Sequence, residues 1–200
     1  MSPRTKEQNE AIRMTRMHQI RDAAAEVYLQ RGMSFEMRDV AAQAGLGYGT
    51  VYHYYKNKHQ LFHDLLMSAL DSASELSART LAAGKPVPER LKAWAVGLLK
   101  LWAEEPMVFI LYKMASENFH QLPPESVGRL PDRFEAELYG PVIDALRASE
   151  DEASAFENAN VLIGSLTGCA GLWLYHGRRE LDAEKIAERL LAGFEQRQIS

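Results

Sequence analysis

Apolar residues recur at intervals of three and four along most of the chain, which is the period of a helix with one buried face. The strict alternation that marks a half-buried strand is nearly absent, so we expect an all-α fold. Helices are predicted at about 15–30, 37–44, 48–54, 57–84, from Pro86 and Pro88 onward, 106–122, 133–149, 152–176 and 182–197. A loop is expected over 123–131 and a break at Gly140-Pro141, since proline removes a backbone donor and disturbs a helix interior.

Residues 36–54 predict two short helices joined by a tight turn. The first helix carries an apolar stripe formed by Met37, Val40, Ala41 and Ala44. Gly45 can adopt the left-handed conformation that ends such a helix. The second helix, Tyr48 to Tyr54, directs Val51 and the following Tyr55 inward. This arrangement is typical of a helix-turn-helix whose second helix enters the DNA major groove.

The same region resembles the DNA-binding domain of the TetR family of transcriptional repressors. The resemblance covers about 15–65 and rests on Ile20, Ala23, Ala24, Tyr28 and Gly32, followed by RDVAAQAGLGYGTVYHYYKNKHQLF. The chain departs from the family pattern in two places. The usual threonine cap of the first short helix is missing, so either Ser34 or Glu36 caps it, and Gly47 stands where serine is common.

The resemblance implies an N-terminal three-helix DNA-binding head and a C-terminal helical bundle for ligand binding and dimerisation. We expect a polar N-terminal arm at 1–14, the head at 15–62 and the body at 63–200. The helix that links the head to the body is predicted to begin with Asn57 as its N-cap. The net charge of −4 supports this division. Residues 1–63 hold nine basic and six acidic side chains, so the acidic excess lies in the remainder of the chain. A basic head on an acidic body suits a DNA-binding protein.

The second short helix presents the candidate DNA contacts. Tyr48, Gly49 and Thr50 are expected nearest the base edges, because Gly49 lets the backbone approach and Thr50 offers a hydroxyl and a methyl group. Phosphate contacts are expected from side chains that donate hydrogen bonds or carry positive charge. These are Tyr52, His53, Tyr54 and Lys58, with Arg38 at the position from which family members reach a base or the backbone.

Three glycines share one face of the predicted helix 152–176. Each costs about 1 kcal/mol relative to alanine in a helix interior, so close packing of another helix is the expected compensation. That helix belongs either to the same subunit or to a second copy, and we favour the second copy. The resemblance likewise implies a homodimer formed by the last two helices. The predicted interface consists of Val161, Gly164, Gly168, Gly171, Tyr175, Leu190, Leu191 and Phe194.

The body is rich in large apolar and aromatic residues, which suits a hydrophobic or aromatic effector as well as an ordinary core. The candidate ligand contacts are Trp94, Trp102, Met107, Phe109, Tyr112, Asn118 and Trp173. The sequence identifies no particular effector. It also leaves open whether the protein represses or activates.

Other classes of function have little support in the sequence. Cys169 is the single cysteine, so a cysteine-based zinc cluster is excluded, and His59 and His63 have metal-ligand spacing without a third ligand. The apolar run 161–175 is shorter than the roughly 20 residues of a membrane span. We therefore expect a cytoplasmic protein with no cofactor, no metal, no membrane contact and no catalytic activity. The alternatives are an effector-independent DNA-binding protein and, less favoured, an all-helical ligand carrier or enzyme.

Overall fold

The structure is a computed structural model that describes residues 5–176 and 181–195, with side chains described up to residue 193. In these residues it contains helices and turns but no strand, as the sequence predicts. The chain forms two compact units divided between Leu65 and Leu66. No helix among the described residues is long and apolar enough to span a membrane.

The first unit contains three helices and the start of a fourth. They are α1 (Lys6–Arg31), α2 (Met37–Gln43), α3 (Tyr48–Tyr54) and α4 (Lys58–Leu81), which crosses the boundary between the units. Asn57 caps α4 as predicted, because its side-chain oxygen accepts a hydrogen bond from the Gln60 amide at 2.8 Å. The buried rings of Tyr28, Phe35 and Phe62 lie at the centre of the unit, with Phe62 4.9 Å from Tyr28 and 6.1 Å from Phe35.

Helix α1 begins nine residues earlier than predicted, at Lys6, and its residues up to Met14 are helical and exposed. The cause is a capping box at Thr5 and Gln8. The Gln8 amide donates to the Thr5 hydroxyl at 3.2 Å, and the Thr5 amide donates to the Gln8 side chain at 3.0 Å. This exchange satisfies two amides that a helix start otherwise leaves without partners.

The second unit is a bundle of helices around α5. After α4 come α5 (Val87–Glu104), α6 (Pro106–Ser116), α7 (Pro124–Val127), α8 (Leu130–Phe134), a π-helical turn (Glu135–Tyr139), α9 (Gly140–Arg147), α10 (Glu152–His176) and α11 (Ala183–Glu195). Helix α5 packs against α6, α9, α10 and α11. Trp94 and Trp102 on α5 are completely buried. Gly97 allows α5 to approach α4, because a Cβ atom there would lie 2.7 Å from Leu76.

The segment between α6 and α9 differs most from the sequence prediction. Helix α6 ends at Ser116 instead of continuing to 122, because Asn118 and Phe119 adopt positive φ angles of 50° and 56°. The expected loop over 123–131 contains the short helix α7 and the start of α8. The expected break at Gly140-Pro141 is absent. The π-helical turn directly before it, in which the Gly140 amide donates to the Glu135 carbonyl, accommodates the missing proline donor while the chain stays helical.

Candidate functional site

The turn between α2 and α3 has the geometry expected of a helix-turn-helix. Gly45 has a φ angle of +64°, as predicted. The Leu46 amide donates to the Ala41 carbonyl at 2.9 Å, and the Gly45 amide donates to the Ala42 carbonyl at 3.1 Å. This pair of hydrogen bonds is the Schellman motif, which ends α2 and redirects the chain into α3. Gly47 then caps α3 through its backbone carbonyl alone.

Glu36, and not Ser34, is the N-cap residue of α2. Its amide donates to the Asp39 carboxylate at 2.8 Å, and Arg31 of α1 pairs with the same carboxylate at 2.8 Å. These interactions lower the pKa of Asp39, chiefly through the hydrogen bond from the Glu36 backbone. The residue therefore stays ionised at the helix start, where a negative charge is favourable.

A three-residue network fixes the end of α3. The buried Tyr55 hydroxyl donates to the Asp64 carboxylate of α4 at 2.5 Å, and Arg21 of α1 donates to the same oxygen at 3.0 Å. Burial, followed by the hydrogen bond to Asp64, raises the pKa of Tyr55 well above its usual value, so the phenol stays protonated. The prediction that Tyr55 belongs to the core is confirmed, and the network joins the C-terminal end of α3 to α1 and α4.

The predicted DNA contacts on α3 share an exposed surface. Tyr48, Gly49, Thr50 and His53 are exposed, while Tyr52 and Tyr54 are half-buried. The rings of Tyr48 and Tyr52 lie 4.5 Å apart, and a hydrogen bond between their side chains raises the pKa of Tyr48. His53 lies with its ring 5.3 Å from that of Tyr54. Helix α3 thus presents an aromatic, hydroxyl-rich face next to the turn.

The two predicted basic contacts have different environments. Arg38 is well exposed and forms an ion pair with Glu36 at 3.0 Å. Lys58 is half-buried, and its ammonium group donates to the Met33 carbonyl at 2.8 Å and lies 5.7 Å from the centre of the Phe35 ring. Lys58 therefore has a structural role that sequence reasoning missed, although two of its three donors are not used in this bond.

The first turns of α1 adjoin this surface. Asn9, Ile12 and Arg13 line one depression together with His53 and Tyr54 of α3. Sequence reasoning missed this neighbourhood, because it placed the helix start at about Thr15. The signal was available in the capping pattern that begins at Thr5.

A second feature is a cavity of about 710 Å³ within the second unit. Its walls come from α6, the turn that follows it, α8, the π-helical turn and α10. The lining includes six aromatic residues, namely Phe109, Tyr112, Phe119, Phe134, Tyr139 and Tyr175. A cavity of this size and apolar character is suited to a small organic ligand.

Three of the seven predicted ligand contacts line this cavity: Phe109, Tyr112 and Asn118. Trp94, Trp102 and Met107 are buried elsewhere in the core, and Trp173 is half-buried outside the lining. Trp94 has an internal partner, since its indole N–H donates to the Ser77 hydroxyl at 3.3 Å. Phe134 and Tyr139 were not predicted as ligand contacts, although both fall in the helix predicted over 133–149.

The glycine face of α10 borders the cavity. Gly164, Gly168, Gly171 and Tyr175 belong to the lining, and a Cβ atom at Gly164 or Gly168 would meet no described atom within 4 Å. These two glycines therefore leave space instead of accommodating a closely packed helix of the same subunit. Of the other predicted interface residues, Val161 is 54% exposed, Leu190 is half-buried, Leu191 is buried within its own subunit, and the side chain of Phe194 lies outside the described residues.

Tyr112 differs from the other hydroxyl-bearing residues of the cavity. Its hydroxyl is buried and has no hydrogen-bond partner among the described residues. Burial raises the pKa of Tyr112 far above its usual value, so the group remains a hydrogen-bond donor at neutral pH. Its ring lies 5.2 Å from those of both Trp102 and Phe134. A buried hydroxyl without a partner costs free energy.

The geometry of α2, the turn and α3 defines a DNA-binding protein of the helix-turn-helix class. Residues 20–65 match the family model described as "Bacterial regulatory proteins, tetR family". This part of the chain is therefore similar to the DNA-binding domain of TetR-family transcriptional regulators. No curated protein sequence matches it significantly.

Solved structures support the same fold over nearly the whole chain. A TetR-like transcriptional regulator from Rhodococcus sp. RHA1 is 25% identical, with 89% of this chain and 96% of that chain covered and a TM-score of 0.66. AibR in complex with isovaleryl coenzyme A and operator DNA is 19% identical, with 89% and 97% covered and a TM-score of 0.71. FadR from Bacillus subtilis in complex with stearoyl-CoA is 19% identical, with 88% and 95% covered and a TM-score of 0.64.

The Tyr55–Asp64 hydrogen bond is expected to contribute to the free energy of unfolding. Tyr55→Phe removes one buried donor to a carboxylate and should lower the free energy of unfolding by about 1–2 kcal/mol. Urea denaturation followed by circular dichroism measures this change. Tyr54→Phe is the matched control, because Tyr54 is half-buried at the neighbouring position, and it should leave the midpoint nearly unchanged. Equal midpoints for Tyr55→Phe and the unaltered protein would contradict the proposed importance of the network.

Substitutions among the predicted DNA contacts should distinguish phosphate contacts from base contacts. Lys58→Ala should weaken binding about equally on all duplexes and reduce the salt slope by about one unit, and Tyr52→Phe should lose one phosphate hydrogen bond. Thr50→Ala should instead change the preference at particular base pairs. Binding to selected and random duplexes at several salt concentrations measures these effects. Unchanged binding by both Lys58→Ala and Tyr52→Phe would mean that the phosphate-contact assignment is wrong.

Proposed function

We propose that the protein is a ligand-responsive transcriptional repressor that binds a palindromic operator as a homodimer. The observation that carries this proposal is the coexistence of two features in one chain. One is the exposed α3 surface of the helix-turn-helix, and the other is the aromatic cavity of about 710 Å³ in the second unit. The first suits operator binding, and the second suits an effector.

At the operator, α3 would lie in the major groove with its first turn toward the bases. Tyr48, Gly49 and Thr50 are then the residues nearest the base edges. Tyr52, His53 and Tyr54 would donate hydrogen bonds to phosphates and so set the register, while Arg38 and Lys58 add positive charge. Each head would contact one half-site, with successive major grooves about 34–36 Å apart.

The homodimer is supported by exposed apolar residues on α10. Val161 is 54% exposed and Leu172 is 66% exposed, although both are large apolar side chains. Surfaces of this kind favour association with another protein surface. A second copy of α10 and α11 is the occupant that the resemblance implies, with Val161 and Leu172 in the interface and the glycine face toward the cavity.

The effector would act by preferring one arrangement of the dimer. It can release DNA only if it binds the non-DNA state more tightly, since equal affinity for both states shifts nothing. The ligand complexes of AibR and FadR support a small molecule with an apolar part as the effector. We place this repression in the cytoplasm, where the operator DNA is found.

The cavity helps to distinguish the proposed function from an effector-independent DNA-binding protein and from a carrier or enzyme. An effector-independent DNA-binding protein needs only a solidly packed body, because voids reduce stability. The cavity of about 710 Å³ favours a ligand-responsive protein over this alternative. A carrier or enzyme without DNA affinity has less support, since it leaves the geometry of the helix-turn-helix unexplained.

The effector response can be tested by DNA release. Operator-bound protein is titrated with neutral aromatic compounds, isovaleryl-CoA and stearoyl-CoA while fluorescence anisotropy of the DNA is followed. At least one compound should lower the affinity for the operator and stabilise the protein against heat. Structures with an identical separation of the two heads with and without a releasing compound would contradict the proposed switch.

Two substitutions one turn apart on α10 separate the cavity from the dimer interface. Gly168→Leu adds a side chain where no described atom lies within 4 Å of the new Cβ atom. It should fill part of the cavity, preserve the dimer and operator binding, and make the protein unresponsive to a releasing compound. Leu172→Glu, on the exposed apolar surface, should weaken the dimer instead because it places a charge in the proposed interface. Sedimentation equilibrium measures the dimer affinity of both variants. Fluorescence anisotropy of the operator DNA measures DNA binding and the response to a releasing compound.

Results opposite to these expectations would change the assignment of the two surfaces of α10. A monomeric Gly168→Leu protein would place the glycine face between subunits, as the sequence analysis favoured. A Leu172→Glu protein with unchanged dimer affinity would remove the exposed apolar residues of α10 from the interface.

A further inference from the structure

The first turns of α1 lie outside the core of the first unit. Every side chain from Lys6 to Arg16 is exposed, and the first buried residue of the helix is Ile20. Most helical stability in proteins comes from packing of an apolar face, which these turns lack. They add little to the core, so what they extend is the surface of the unit.

One side of these turns continues the surface of α3. Five residues line the depression where the two helices adjoin. They are Asn9, Ile12 and Arg13 of α1 with His53 and Tyr54 of α3. Further along the same side of α1, the Gln19 side chain donates to the Ala44 carbonyl at 2.7 Å, next to the turn between α2 and α3. This side of α1 is therefore held against the helix-turn-helix, beside the end of α3.

The same side carries positive charge that the protein does not neutralise. The residues that recur on it at intervals of three and four are Lys6, Asn9, Arg13 and Arg16. Arg13 has no hydrogen bond or ion pair among the described residues. Arg16 donates to the Gln19 side chain at 2.7 Å, and this partner is neutral. Glu10 lies at the edge of this side and Glu7 on the opposite side of the helix.

This charge lies where a DNA strand would pass. In the proposed complex, His53 and Tyr54 donate hydrogen bonds to phosphates, and Arg13 and Asn9 line the depression next to them. A guanidinium group can bind phosphate through two parallel hydrogen bonds, and an asparagine amide can donate another. The side chains at this position are therefore suited to the backbone of duplex DNA.

We propose that the first three turns of α1 are a second DNA-contacting element, and that Arg13, together with Asn9, binds a backbone phosphate beside those reached by α3. This inference rests on the proposed operator binding and extends it from the helix-turn-helix to a flanking helix. Each head then contacts more of the DNA backbone than α3 reaches alone. The added contact strengthens binding on any sequence, because phosphates carry no sequence information directly.

Three substitutions in the full-length protein test the contact. Binding to a labelled duplex of mixed sequence is followed by fluorescence anisotropy over a series of salt concentrations. Arg13→Gln should weaken binding several-fold and reduce the salt slope by about one unit for each contacting head, because one phosphate contact is lost. Arg13→Lys keeps the charge and should keep the slope. Asn9→Ala removes a neutral donor, so it should weaken binding without changing the slope.

Arg79→Gln is the matched control for the loss of charge. Arg79 is also an exposed helical arginine without an ion pair among the described residues, but it lies in the part of α4 that belongs to the second unit. This variant should bind DNA like the unaltered protein. Glutamine has nearly the same helix propensity as arginine, and circular dichroism checks that both variants keep their helix content.

Two outcomes would overturn the inference. One is an unchanged salt slope in Arg13→Gln, which would leave these turns without a role at the DNA backbone. The other is an equal loss of slope in Arg79→Gln, which would mean that the effect reflects overall charge and not a contact.

Lys58→Ala and Tyr52→Phe on the same duplex separate this inference from the proposed function. If they weaken binding and Arg13→Gln does not, only the contribution of α1 is wrong. If the unaltered protein binds no duplex, the proposed function fails and this inference fails with it.

Discussion

The geometry of the helix-turn-helix depends on the carboxylate of Asp64. It accepts hydrogen bonds from Tyr55 at the end of α3 and from Arg21 of α1, and it is itself part of α4. Helix α3 has seven residues and is too short to be stable in isolation, so its position depends on packing and on this network. The Schellman turn at Gly45 directs the chain into α3, and the network holds its other end. Tyr48, Thr50 and His53 are exposed on one surface because both ends of this short helix are fixed.

The second unit shows a different constraint, in which space is preserved at the expense of packing. A Cβ atom at Gly164 or Gly168 would meet no described atom within 4 Å, so alanine fits there and would improve helix propensity. Tyr112 keeps a buried hydroxyl without a partner, which phenylalanine would avoid. Both features lower the stability of the second unit. Such a departure from good packing is expected at a functional site.

The sequence predicted the head more accurately than the cavity, and the reasons are physical. The left-handed Gly45, the Asn57 cap and the inward-facing Tyr55 depend on local conformation and on helical periodicity, which a sequence displays directly. The start of α1 was missed, although the Thr5–Gln8 capping pattern is equally local. By contrast, nothing in the sequence marks Phe119 as a residue with positive φ, since bulky side chains rarely adopt that conformation. A cavity also depends on which faces of distant helices meet, so periodicity identified the glycine face of α10 but not what borders it.

The central claim is that this protein binds a specific DNA sequence through the α3 surface. Fluorescence anisotropy with labelled fragments from upstream of its own gene, with random duplex as competitor and at two salt concentrations, tests it most directly. The structure predicts tight binding to at least one fragment that survives the competitor at both salt concentrations, because base contacts add to the salt-dependent phosphate contacts. Weak binding to every fragment that disappears at the higher salt concentration would contradict the claim.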